Sequence, residues 1–154
     1  MSDQAEFYHE LLGQTKALIS NESDIIANMA NVSALLFDRL AEVNWVGFYR
    51  VIDNELVLGP FQGKVACIRI PLGKGVCGTS ALTGKVQRIA DVHQFDGHIA
   101  CDASSNSELV IPVTIAGKVV AVLDIDSTAF ERFDLQDEQG ILAIVEAFKQ
   151  NVIV

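Results

Sequence analysis

The chain has 154 residues, half of them hydrophobic and a fifth charged, with a formal net charge of -9. That length and balance suit one packed domain spanning 1–154 and exclude a disordered chain. The acidity, with no Lys/Arg cluster, argues against nucleic-acid and anionic-membrane partners, and no apolar run approaches the roughly 20 residues a spanning helix needs.

Taken in chain order, Leu11, Leu12, Ala17 and Leu18 recur at helical spacing and predict a helix over 3–19. Asn21-Glu22-Ser23 breaks it. Ser23 or Asn21 is placed to cap a second helix, whose apolar stripe from Ile25 to Leu36 carries it to about Glu42. The period then changes. Trp45–Ile52 and Glu55–Phe61 read as strands joined by a turn at Asp53-Asn54, and Val65–Ile70 as a third strand ended by Pro71.

Gly73-Lys74-Gly75 opens a short helix, Val76–Leu82, stopped by Gly84, and Val86–Ala90 is a short strand. Residues 91 to about 106 form a long polar loop. Ser107–Ile115 and Lys118–Ile125 form a hairpin around Ala116-Gly117. A last helix runs from Asp134 to about Lys149, with Asp134 as cap and Asp137 and Glu138 in its first turn. Hairpins imply an α+β fold: a mostly antiparallel sheet of about six strands with the N- and C-terminal helices on one face.

The N-terminal ten residues are polar and acidic, unlike a signal peptide, so the expected location is cytoplasmic. Thiols stay reduced there, and the three cysteines, Cys67, Cys77 and Cys101, cannot all pair with one another. No two form a CxxC motif. Cys67 falls in the third strand. Cys77 falls in the first turn of the short helix, where the helix dipole favours a thiolate. Cys101 falls in the polar loop beside Asp102, where a reactive group can meet a ligand. Two other readings stand beside a reactive one. The cysteines can be small buried hydrophobes. With His93 and His98, Cys77 and Cys101 can also supply metal ligands, although the spacing matches no compact zinc pattern, and no metal site is assigned.

Asp124 and Asp126 are two apart in a strand and leave the same face, which Val120 and Val122 share. Acids on such a face need a partner. They can bind an ammonium group or share a proton, unless the strand simply ends in water. A strict two-residue turn at Ala116-Gly117 puts Leu109 opposite Asp124 and turns Glu108 to the other face. Glu108 joins the acids only if the register slips by one residue, as a bulge near Pro112 would allow. Trp45, Gly47 and Tyr49 also share a face. Two rings flanking a glycine suggest a slot for a methyl, thioether or cation, the alternative being ordinary core.

These pieces resemble the GAF domains, and more narrowly the free methionine-(R)-sulfoxide reductases, which are stand-alone GAF domains. The resemblance covers nearly the whole chain. It is carried by Trp45-Val-Gly-Phe-Tyr49, Gly59-Pro-Phe-Gln-Gly63, Cys67, Gly75-Val-Cys77-Gly-Thr-Ser80 and His98-Ile-Ala-Cys101-Asp, then by Ser107-Glu-Leu-Val-Ile-Pro-Val113 and Leu123-Asp-Ile-Asp126-Ser. It implies reduction of free methionine (R)-sulfoxide, with Cys101 as nucleophile and Cys67 and Cys77 as resolving cysteines. It further implies Glu108, Asp124 and Asp126 as substrate-binding acids and Trp45 and Tyr49 as an aromatic wall. No bound cofactor is expected; thioredoxin would serve as external reductant and the protein as a homodimer. On chemical grounds Asp126 is the acid held neutral to protonate the sulfoxide oxygen, while Glu108 and Asp124 hold the ammonium group. The alternatives are a GAF-type sensor for a small ligand and a thiol redox switch.

Overall fold

The computed structural model describes residues 1–97 and 104–152. Cys101, together with His98 and Asp102, lies outside the described residues. Helix α1 spans Asp3–Ile19, and α2 spans Ile25–Arg39. The cap of α2 is Asp24, not Ser23 or Asn21: its carboxylate accepts from the Ala27 N–H at 2.9 Å. Glu22 instead accepts from the N–H groups of Ser23 and Asp24, which ties Ser23 into the turn. The helix ends short of Glu42, which has a positive φ and lies in the turn before the first strand.

Strands β1 (Val43–Ile52) and β2 (Glu55–Gly63) are joined by Asp53-Asn54 with φ of 51° and 63°, as a two-residue hairpin turn requires. Strand β3 is only Arg69–Pro71. The expected strand from Val65 does not form. Val65 and Ile68 are 88% and 69% exposed, so their apolar alternation has no layer to bury against. Cys67 thus lies in an irregular stretch between β2 and β3. Helix α3 (Gly75–Thr83) follows and ends on Gly84 in the left-handed conformation. Strand β4 is Gln87–Ile89, and a single 3-10 turn at Val92–Gln94 interrupts the polar loop. Strands β5 (Ser107–Ile115) and β6 (Lys118–Ser127) form the last hairpin. Helix α4 (Leu135–Gln150) starts on a capping box made by Asp134 and Asp137.

All sheet pairings are antiparallel, in the order β3-β2-β1-β6-β5-β4. The two faces bury different layers. Helices α1, α2 and α4 cover one face, with Leu11, Met29, Leu36, Phe48, Leu123 and Phe148 in its core. Helix α3 covers part of the other, against Tyr49, Val110 and Val122. Arg132 bridges the layers' edge, donating to the Ala41 carbonyl at 2.8 Å and pairing with Asp137 at 3.3 Å.

Candidate active site

The cavity lies on the α3 face, and cross-strand register builds it. On β1, Trp45 sits opposite Asp126 of β6, and Gly47 opposite Asp124. On the far side of β6, Glu108 of β5 sits opposite Asp126, and Val110 opposite Asp124. Three adjacent strands therefore point aromatic rings and three carboxylates to one side. The pairing of Glu108 with Asp126 needs the one-residue slip anticipated near Pro112, and it is present. The ladder shifts between Val113 and Thr114, with Val120 as the extra residue on β6. The bulge also corrects the expected face of Val120: that side chain packs with the α1/α2/α4 core, while Val119 takes the cavity side.

Around these strands close α3 and the stretch before β3. The cavity is open to solvent, with about 540 Å³ of empty space in it and its mouth together, and its lining includes Trp45, Tyr49, Cys77, Glu108, Asp124 and Asp126. Ala66, Lys74, Val76 and Ser105 are among the other residues that line it. The sequence reading missed these four. For Lys74 and Val76 the signal was the helix opening itself: Lys74 is the N-cap of α3 and its side chain makes no capping hydrogen bond. Ser105 gives no such sign. It accepts from the Asn44 side chain at 3.1 Å, which ties the end of the polar loop to β1. Asn106 holds the same end through the Thr128 carbonyl at 2.6 Å and the His93 ring at 3.0 Å.

The aromatic residues do more than form a wall. The Trp45 indole N–H donates to the Lys64 carbonyl at 3.1 Å, and the Tyr49 hydroxyl to the Cys67 carbonyl at 3.0 Å. Both rings therefore anchor the stretch that carries Cys67. The slot expected over Gly47 is closed. Trp45 stacks on Phe61 at 5.2 Å and on Tyr49 at 5.9 Å, and a Cβ at Gly47 would stand 2.3 Å from Phe61 Cβ and 2.7 Å from the Trp45 ring. The missing side chain makes room for the Trp45 ring itself.

Charge is concentrated at the cavity floor. Asp124 and Glu108 are 5% and 7% exposed; Asp126 is half-buried. Burial, then the charges of Asp126 and Glu108, hold the Asp124 carboxyl well above the usual carboxylate range. Burial likewise raises the Cys77 thiol well above its ordinary value, with Asp124 and Glu108 adding to the effect. That reverses the thiolate expected from its place in the first turn of α3. The dipole of a nine-residue helix does not offset removal from water beside three acids. Cys77 Sγ lies 3.8 Å from Glu108 Oε2 as a weak donor. Cys77 is a free, buried thiol, and Cys67 is disulfide-bonded.

A sheet with helices on both faces, holding a thiol and three acids in a cavity under α3, places the chain among the GAF domains. The family model described as GAF domain matches residues 27–147. The chain is 55% identical over 143 residues to "Free methionine-R-sulfoxide reductase" of Escherichia coli (strain K12), covering 93% of this chain and 87% of that protein. The structure of fRMsr of Staphylococcus aureus in complex with substrate superposes with a TM-score of 0.90 at 50% identity, covering 94% of each chain. Free methionine-R-sulfoxide reductase from Neisseria meningitidis, in complex with its substrate, gives 0.93 at 39% identity, covering 98% of this chain and 91% of that one. The chain belongs to the free methionine-R-sulfoxide reductase family and is an oxidoreductase.

Proposed function

We propose that the protein reduces free methionine (R)-sulfoxide to methionine, in the cytoplasm, as a homodimer regenerated by thioredoxin and without a bound cofactor. The observation that carries this reading is the cluster of Glu108, Asp124 and Asp126, the first two buried, that lines one cavity together with Cys77, Trp45 and Tyr49. A free amino acid brings an ammonium group, which such a cluster suits. A carboxylate suits the uncapped N-terminus of α3 and the nearby Lys74.

In the first step, Cys101 sulfur attacks the sulfoxide sulfur while the sulfoxide oxygen takes up a proton. The oxygen passes to Cys101, which becomes a sulfenic acid, and methionine leaves. The sulfur of methionine is reduced by two electrons and that of Cys101 is oxidised by two. A resolving thiol then condenses with the sulfenic acid, releasing water and forming a disulfide, which a dithiol reductant exchanges away. The disulfide at Cys67 and the free thiol at Cys77 favour Cys67 as the first resolving cysteine. Burial and the neighbouring acids push the Asp124 carboxyl above the usual carboxylate range, which favours Asp124 over Asp126 as the donor to the sulfoxide oxygen. Asp126, half-buried, and Glu108 are then left to hold the ammonium group.

The test is continuous turnover. With thioredoxin, thioredoxin reductase and NADPH, added free methionine (R)-sulfoxide should be consumed through many cycles. Cys101→Ser should abolish this while leaving the circular dichroism spectrum unchanged. A ligand sensor or single-use thiol switch would oxidise NADPH at most once per site, which would overturn the reading.

A further inference from the structure

Cys77 Sγ, a Glu108 carboxylate oxygen and an Asp124 carboxylate oxygen all lie within 4.8 Å of one another, and all three residues are buried. From typical zinc bond lengths, sulfur and oxygen ligands at a tetrahedral ion stand about 3.6 Å apart. Cys77 Sγ and Glu108 Oε2 stand at 3.8 Å. A second, independent feature points to a missing occupant. Asp124 Oδ1 is buried in the cavity floor with no hydrogen-bond partner among the described residues. A buried carboxylate oxygen left without a donor is costly, and a cation coordinated there removes the cost.

We infer that Cys77, Glu108 and Asp124 form a thiolate–dicarboxylate site for a borderline-soft divalent cation of the zinc or cadmium class. One sulfur and two oxygens leave a fourth position open toward the cavity, for water. Binding releases to solvent the Cys77 proton, and any proton held on Asp124, and forms metal–sulfur and metal–oxygen bonds with no change of oxidation state. Hard cations such as magnesium are disfavoured, because one of the three donors is sulfur and octahedral oxygen ligation is not available from these side chains. The metal occupies the carboxylates that the proposed substrate needs and ties up the free thiol. The site is therefore inhibitory: zinc and amino acid exclude each other.

The site stands on the cavity geometry and not on the assigned reaction, so its test is metal binding itself. Protein carrying the Cys67 disulfide, with Cys77 as its free thiol, is titrated with zinc chloride by calorimetry and with cobalt chloride by absorption spectroscopy. One zinc per chain is expected, with a near-ultraviolet sulfur-to-cobalt charge-transfer band. Cys77→Ser should remove the band and weaken zinc binding by at least about tenfold. Asp124→Asn, which keeps the shape of the side chain, should keep the fold and weaken zinc as well. Absence of zinc binding up to millimolar concentration, or stoichiometric binding unchanged by both substitutions, would overturn the site. Added methionine (R)-sulfoxide should displace the zinc. Binding that depends on Cys77 but resists the sulfoxide would uphold the metal site and count against this cavity as the substrate's.

Discussion

Gly47→Ala tests how the aromatic wall is built. The added methyl would sit 2.3 Å from Phe61 Cβ, 2.7 Å from the Trp45 ring and 2.9 Å from Phe61 Cα. Carbon atoms in ordinary contact stand about 3.5–4.0 Å apart, so β1 and the Phe61 backbone must separate by more than about 1 Å or the indole must leave its stack. Gly47 is paired to Phe61 on one side and to Asp124 on the other, which blocks an easy backbone shift. Overpacking of this kind costs roughly 1–3 kcal/mol. In a domain of this size each kcal/mol lowers Tm by about 2–4 °C. Calorimetry should therefore show a fall between about 2 and 12 °C. Because Trp45 lines the cavity and holds the Lys64 carbonyl, KM for methionine (R)-sulfoxide should rise severalfold, with a smaller change in kcat. Gly13→Ala in α1, where a Cβ meets nothing within 4 Å, is the matched control and should be neutral or stabilising by up to about 1 kcal/mol. An unchanged Tm and KM in Gly47→Ala would refute the packing of Trp45 over Gly47.

Asp124→Asn should lower kcat by roughly 10²–10⁴-fold, the usual worth of a positioned proton donor. The same change should stabilise the fold. A carboxyl whose folded value is raised binds more protons folded than unfolded, so the wild type loses stability as pH rises from the ordinary value of 3.8 through the raised one. The advantage of Asp124→Asn should widen over that window by at most about 1.4 kcal/mol per pH unit, then level off. Urea unfolding at a series of pH values reads it, and a pH-independent difference would contradict a raised Asp124 carboxyl. For the cysteines, one treatment with substrate and no reductant should leave Cys67 in a disulfide and Cys77 reactive only after unfolding, as peptide mapping with an alkylating agent would detect. Rapid alkylation of native Cys77 would contradict its buried, protonated state.

Element order, the two hairpin turns, the α4 cap and the shared face of Asp124 and Asp126 were legible because each rests on local chemistry. Asp53-Asn54 accepts positive φ, and Asp134 has its capping partner three residues on. What escaped depended on tertiary layers. The apolar alternation of Val65 to Ile70 reads as a strand, yet the sheet edge offers it nothing to pack on. The alternation of Trp45, Gly47 and Tyr49 is real, but which ring fills the glycine's space is decided by Phe61 on the next strand. The helix dipole at Cys77 was visible, whereas the buried acids that outweigh it come from β5 and β6. Glu108 shows the boundary most clearly. Periodicity alone turns it away from the aspartates, and only the bulge at Val120, in a hairpin whose Pro112 cannot donate to the ladder, returns it to them.

The central claim is that buried acids read the amino group of a free amino acid. It is tested most directly by comparing kcat/KM on free methionine (R)-sulfoxide with that on its N-acetyl, C-amide derivative. The derivative lacks the ammonium group and would leave carboxylates of the cluster desolvated and unpaired. A charge-assisted contact is worth about 1.5–3 kcal/mol, and the unpaired partner adds to the loss. The free amino acid should win by at least about a hundredfold, at 1.4 kcal/mol per factor of ten. Comparable efficiencies on the two would contradict the account.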